Sequence, residues 1–172
     1  VTKRAVFVIA YRGFRDEELL EPRAALEAGG VRVQVASSAL GPALGALGAR
    51  VEPDLLYTAL TISDVDALVF VGGEGSQEFW EDKAAHRLAR EAVARGIVLG
   101  AICFAPSILA NAGLLEGRRA TAFPTRRPHL VSKGALFSSD PVVRDGKLVT
   151  ADGPASAAAF GKALADMLTG AA

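Results

Sequence analysis

Gly100-Ala101-Ile102-Cys103-Phe104-Ala105-Pro106-Ser107-Ile108-Leu109-Ala110 is the stretch on which the fold turns. It follows the short apolar run Ile97-Val98-Leu99 and leads into a helix-like segment that ends at Asn111-Ala112-Gly113. A strand that passes into a helix through one nucleophilic residue is a nucleophile elbow, and it needs small neighbours two positions to either side, here Ala101 and Ala105. Pro106 suits the first helical turn, because the N–H it lacks has no intrahelical partner there. A sulfur so placed faces the positive end of the helix dipole, which predicts a thiol pKa lowered to about 4 to 7. The competing reading of Cys103 is a small buried hydrophobe in an apolar run. Strand, small residues, cysteine and proline in one window favour the elbow.

Working outward, Ala5-Val6-Phe7-Val8-Ile9-Ala10 is a continuous apolar run, the pattern of a strand buried on both faces of a parallel sheet. Asp16 is placed to cap a helix whose apolar positions include Leu19, Leu20 and Leu26, with Gly29-Gly30 ending it, and a strand follows from Val31 to Ala36. Turns and a short hairpin are expected around Gly45 to Val51, and a short helix or turn from Leu55 to Ile62. Val65 to Val71 reads as a third buried strand that ends at Gly72-Gly73, and Ser76 as the cap of a helix running to about Arg95. Ala120 to Phe123 reads as a short strand, and Arg126 to Lys133 as a loop or short helix. Val142 to Thr150 reads as a hairpin turning at Asp145-Gly146, and a last amphipathic helix runs from after Pro154 to about Leu168. Strands alternating with helices predict an α/β fold with a mainly parallel sheet, helices on both faces and ligands beyond the carboxyl ends of the strands.

The chain has 172 residues, about half of them hydrophobic, which fits one domain over 1–172. Acidic and basic side chains balance at 19 each, so no net field favours nucleic acid or an anionic membrane. A single cysteine forms no internal disulfide and fits a reducing compartment, and the first apolar run is too short for a signal-peptide core or a membrane span. A cytoplasmic protein is expected. One cysteine and two separated histidines give no metal-ligand spacing, and Gly72-Gly73-Glu74-Gly75 lacks a phosphate-loop pattern, so no metal or cofactor is expected.

Neither histidine is a natural partner for the thiol. His86 reads as a partly exposed residue in mid-helix, and His129 lies in a Pro-His loop with no fixed relation to Cys103. Glu18 follows the first strand by less than two helical turns, so it is placed to point over the sheet's carboxyl edge. Beside a thiolate, a desolvated carboxyl stays protonated and donates to sulfur. The alternative for Glu18 is an ordinary solvated charge next to Glu17 and Glu21. Gly72-Gly73 reads as a tight strand-end turn, as a source of N–H groups for an oxyanion, or as both.

Together these motifs make the chain similar to the ThiJ/PfpI superfamily, which includes the PfpI intracellular peptidases and the parkinsonism-associated protein deglycase. The resemblance lies in Ala5 to Glu18, Asp66 to Gly73, Ala101-Ile102-Cys103, Asn111 to Arg119 and Val142 to Pro154. It implies a flavodoxin-like three-layer sandwich, a nucleophile at Cys103 and a protonated carboxyl partner at Glu18. It also implies an oxyanion pocket from the N–H groups of Gly73 and Phe104, and a homo-oligomer, most often a dimer. The departures are specific. Phe104 stands where peptidase-type members have histidine, and Gln77 where they draw a glutamate from a neighbouring subunit. Phe123 stands where deglycase-type members have histidine, and Asp152 replaces a basic residue before Gly-Pro. The His-x-Glu pair of glutamine amidotransferases is missing.

The function expected is a thiol-based stress-protection protein acting on small reactive carbonyls or their adducts, glyoxalase- or deglycase-like, with a small electrophile as its partner molecule. The alternative is a non-catalytic redox sensor through Cys103. A PfpI-type peptidase fits less well without a base.

Overall fold

The computed structural model describes residues 1–170. A seven-stranded sheet forms its centre. In chain order its strands are β1 (Arg4–Val8), β2 (Arg32–Ser37), β3 (Leu55–Leu56), β4 (Ala67–Phe70), β5 (Val98–Ile102), β6 (Val142–Asp145) and β7 (Leu148–Ala151). In space the order is β6-β7-β5-β4-β1-β2-β3, parallel throughout except for β6, which pairs antiparallel with β7 across the Asp145-Gly146 turn. The helices are α1 (Asp16–Ala28), α2 (Lys83–Ala94), α3 (Pro106–Asn111), α4 (Arg127–Ser132) and α5 (Ala157–Thr169). α1 and α5 pack together on one face, α2 and α3 cover the other, and α4 packs on α3. The result is a flavodoxin-like α/β sandwich with a mainly parallel sheet.

The continuous apolar runs explain this layering. Every residue of β4 and β5, and Ala5 to Val8 of β1, is buried, because helices cover both faces and leave no wet side for an alternating pattern. β1 pairs with β2 on one side and with β4 on the other, so the chain order reverses between β1 and β4. A crevice therefore opens outside their carboxyl ends, where the loops diverge. Among the described residues no helix is long and apolar enough to cross a membrane.

Three local expectations are corrected. Ser76 does not cap a long helix: Glu74–Phe79 is a 3-10 helix, and Ser76 Oγ donates to Gly73 O inside a buried turn (2.7 Å). α2 starts later, capped by Asp82, whose carboxylate accepts from the Ala85 N–H (2.9 Å) and the Tyr57 hydroxyl (2.9 Å). Asp16 does not cap α1. Its carboxylate turns away from its own helix and accepts from the N–H groups of Leu47 (3.0 Å) and Ala49 (2.8 Å). The tight turn between the short strands Ala43–Gly45 and Arg50–Val51 leaves those donors unpaired, and one carboxylate satisfies both. The third concerns His86, which is buried on α2 with Nε2 donating to Trp80 O (2.8 Å), not partly exposed on the surface.

Candidate functional site

Three chain segments meet at the crevice: the loop after β1, the end of β4 at Gly72-Gly73, and Cys103 just past β5. Cys103 has φ 66°, the only positive φ at a non-glycine position among the described residues. An L-residue in that region is strained by about 1–2 kcal/mol. The backbone on either side holds it there: Cys103 N donates to Ala151 O (2.9 Å), continuing the β5–β7 ladder, and Phe123 N donates to Cys103 O (2.8 Å). Pro106 opens α3 as the first helical residue. The strand, turn and helix thus present the sulfur at the carboxyl edge of the sheet, with Cys103 as a residue 5% exposed.

Glycine at 72 and 73 brings the other groups in. A Cβ on Gly72 would stand 2.5 Å from Glu18 Oε1 and 2.7 Å from Cys103 Cβ, so carboxyl and sulfur meet through the space a side chain would fill. Gly73 has φ 99°, and a Cβ there would lie 2.5 Å from both Arg15 N and Gly13 O. Only glycine allows that turn, which directs the Gly73 N–H at the sulfur alongside the N–H of Phe104.

Glu18 lies on the first turns of α1 and is wholly buried. Pro22, one turn on, withholds the N–H that would have bonded the Glu18 carbonyl. Among the described residues no donor meets either carboxyl oxygen with full hydrogen-bond geometry. Burial raises the Glu18 pKa to about 7, and the nearby Cys103 thiol, the Gly72 N–H and the charge of Arg15 only partly offset it. The thiol is also raised, first by burial, then by the charge of and hydrogen bond with Glu18, against the lowering pull of the Gly73 and Phe104 N–H groups. This corrects the expected lowering. α3 is only six residues long, and a helix end is worth about 0.3–1 kcal/mol, less than the desolvation of a sulfur so nearly closed off. The two acids hold a single negative charge between them most easily, so protonating one eases ionisation of the other.

A cleft of about 370 Å³ leads to the sulfur. Arg15 and Glu74 supply its charges, Phe104 and Phe123 its apolar lining, and Ala46 reaches it from the turn that Asp16 pins. Arg15 is held by Glu17 through two parallel bonds (2.8 and 2.9 Å), and that pairing lowers the Glu17 pKa. Asp16, Glu17 and Glu18 thus do three different things from adjacent positions. The sequence shows an acidic helix start and nothing that separates the three, so it predicts a cap at Asp16 and no role for Arg15.

Among the described residues no histidine lines the cleft. His129 sits on α4 with Nε2 donating to Asn111 Oδ1 (2.8 Å) and Nδ1 accepting from Ser107 Oγ (3.0 Å), so it fastens α4 to α3. The Asn111 amide is oriented by donating to Trp80 O (2.8 Å) and Glu81 Oε1 (2.6 Å), which sets the histidine tautomer. Gln77 is exposed on the 3-10 helix, and Asp152 accepts from Ser156 Oγ away from the sulfur. Among the described residues no three His, Cys, Asp or Glu side chains are grouped to hold a metal ion.

The chain that brings this cysteine and this glutamate together matches a family model over most of its length. The DJ-1/PfpI family model covers residues 3–167. The chain belongs to the DJ-1/PfpI family. Among the DJ-1/PfpI relatives, a deglycase of Pyrococcus horikoshii is 31% identical over 150 residues, covering 87% of this chain and 90% of that protein. A glutathione-independent glyoxalase of Caenorhabditis elegans is 27% identical over 168 residues, covering 98% and 90%. The crystal structure of a ThiJ/PfpI domain protein from Brachyspira murdochii superposes with a TM-score of 0.96 at 32% identity, covering 98% of each chain.

Proposed function

We propose that this DJ-1/PfpI chain is a thiol-dependent enzyme acting on small reactive carbonyls, α-oxoaldehydes above all, with Cys103 as nucleophile and Glu18 as proton carrier. The observation that carries the reading is the Glu18 carboxyl, wholly buried beside the sulfur with its pKa raised to about 7. An acid so poised takes up and returns a proton at neutral pH. The relatives named deglycase and glyoxalase support the same chemistry.

The steps follow from the pair. Sulfur adds to the aldehyde carbon while the thiol proton passes by way of Glu18 to the aldehyde oxygen, giving a hemithioacetal. The Glu18 carboxylate then removes the hydrogen on that carbon, leaving an enediolate, and returns it to the neighbouring carbon, while the hydroxyl proton passes from the former aldehyde oxygen to the former ketone oxygen. The product is a thioester of a 2-hydroxy acid, which water cleaves to release the acid and restore the thiol. The aldehyde carbon is oxidised and the ketone carbon reduced, so no outside oxidant is consumed. The N–H groups of Gly73 and Phe104 and the charge of Arg15 stabilise the oxyanions that form.

The test is to incubate the protein with methylglyoxal and follow lactate. Turnover is expected and is abolished in Cys103→Ala; a Cys103→Ala protein that works as well as wild type refutes the mechanism. Fluorogenic peptides are expected to remain uncut, since among the described residues no histidine lines the cleft to pass the thiol proton to an amine leaving group.

One observation favours redox sensing as a second reading. The donors aimed at the sulfur, and a Glu18 with no partner of full geometry, suit the oxygens of a sulfinate formed by peroxide. Mass spectrometry after mild peroxide decides it: an unmodified Cys103 at doses that oxidise free thiols removes the sensor reading.

A further inference from the structure

A three-carbon oxoaldehyde leaves most of this cleft empty. At about 370 Å³ it falls among pockets that bury much larger ligands, about 300–1,000 Å³. Beside the charges of Arg15 and Glu74, it offers the remainder of a substrate a wall of two aromatic rings. Phe104 and Phe123 meet edge to face, with ring centres 5.3 Å apart and planes at 89°. Both are tied through the backbone to the nucleophile, Phe104 as the next residue and Phe123 through its N–H to the Cys103 carbonyl (2.8 Å).

The wall is also braced from behind. Trp80 packs against Phe104 at 6.2 Å and 70°, its indole N–H donates to the Phe104 carbonyl (2.9 Å), and the Arg126 guanidinium lies 3.8 Å above its ring. Gly153 backs Phe123, since a Cβ there would lie 3.4 Å from Phe123 Cδ1. Rings held this way give up little freedom when a ligand arrives, and both remain half-buried, with apolar surface still to cover. The charged groups of the same cleft are Arg15, which also pairs with Glu17, and Glu74, and of these Arg15 is the one suited to the carboxylate of a product.

We infer that the oxoaldehydes this site handles carry a flat apolar substituent on the ketone carbon, an aryl group in the first place, which packs on Phe104 and Phe123. The inference rests on the oxoaldehyde chemistry proposed above and adds its substrate class. In balanced form, an arylglyoxal and water give an aryl-hydroxyacetate: the aldehyde carbon becomes a carboxylate and the ketone carbon a carbinol, with the thiol regenerated.

The experiment has two arms. In the first, initial rates with phenylglyoxal and methylglyoxal are compared in wild type, Phe123→Ala and Phe123→Leu, with mass spectrometry confirming that no arginine is modified within the assay time. Wild type is expected to favour phenylglyoxal in kcat/KM by about tenfold or more, from the extra apolar surface covered and the ring contacts. Intrinsic reactivity of the two aldehydes is common to all three proteins, so the ratio between proteins is decisive: it is expected to fall about tenfold in Phe123→Ala and less in Phe123→Leu. In the second arm, Trp80, the only tryptophan, reports binding of mandelate and of lactate to wild type by fluorescence. Mandelate is expected to bind about tenfold more tightly. Turnover of both aldehydes with a ratio unchanged by Phe123→Ala overturns the inference and leaves the proposed function standing. No turnover of either aldehyde by folded protein overturns the proposed function, and the binding arm then decides the ligand class alone, with equal affinity for the two acids refuting it. Should Phe123→Ala fail to fold, Phe123→Leu and the binding arm carry the decision.

Discussion

Replacing Glu18 by Gln is expected to make the protein more stable and less active, in a way that depends on pH. The folded state raises the Glu18 pKa from 4.5 to about 7, because burial penalises the carboxylate. Between those values the unfolded chain releases the proton while the folded chain keeps it. Stability is therefore greatest below about pH 4.5 for this group and is lost as pH rises towards 7. A shift of that size corresponds to about 3 kcal/mol at about 1.4 kcal/mol per pH unit. Gln has the same shape and never ionises, so it escapes this loss. Urea denaturation at pH 4.5, 6 and 8 gives the quantity needed, the change with pH in the difference between the two proteins, which cancels any constant cost of a buried amide. The Gln variant should gain about 3 kcal/mol on wild type between the lowest and highest pH, or about 6–12 °C in Tm for a chain of this size. Activity on methylglyoxal should fall by about 10²- to 10⁴-fold, the usual worth of a positioned acid or base. Parallel stability profiles for the two proteins would show that Glu18 titrates normally and would remove the basis for its role.

Other consequences follow from the same geometry. Cys103→Gly should be more stable than Cys103→Ala by about 1 kcal/mol in urea melts, because only glycine relaxes at φ 66°; equal stabilities would mean the turn is unstrained. Asp16→Ala frees the Leu47 and Ala49 N–H groups, and a loss of about 1–3 kcal/mol with faster amide exchange confined to residues 45–49 is expected; unchanged exchange there would refute the pinning. Burial, Arg126 and Lys133 lower the His129 pKa, so its neutral form supports the fold and that support fades as pH drops below 6.5. Nitrogen NMR should find the proton on Nε2 at pH 7, and His129→Gln should flatten the acid side of the stability profile.

Much of the architecture was written in local patterns. Runs such as Ala5 to Val8 and Val98 to Ile102 are apolar without alternation, which only strands covered on both faces tolerate, and the small residues around Cys103 together with Pro106 mark the bend. Glu18 as the sulfur's neighbour was legible too, since the first crossover returns over the carboxyl edge. The branching of roles at Asp16, Glu17 and Glu18 was not. Asp16 finds its partners 31 and 33 residues away, and nothing in its neighbours' sequence shows that a turn there lacks acceptors. The burial of His86 and the capture of His129 by Ser107 and Asn111 depend likewise on how α2, α3 and α4 stack.

The thiol shows the division most sharply. Local sequence determined that a cysteine would sit where a strand bends into a helix, because backbone sterics and hydrogen bonding act over a few residues. Whether that sulfur ionises easily was decided by the tertiary structure, since desolvation and the charge of a carboxyl brought from α1 act through space and outweigh a short helix.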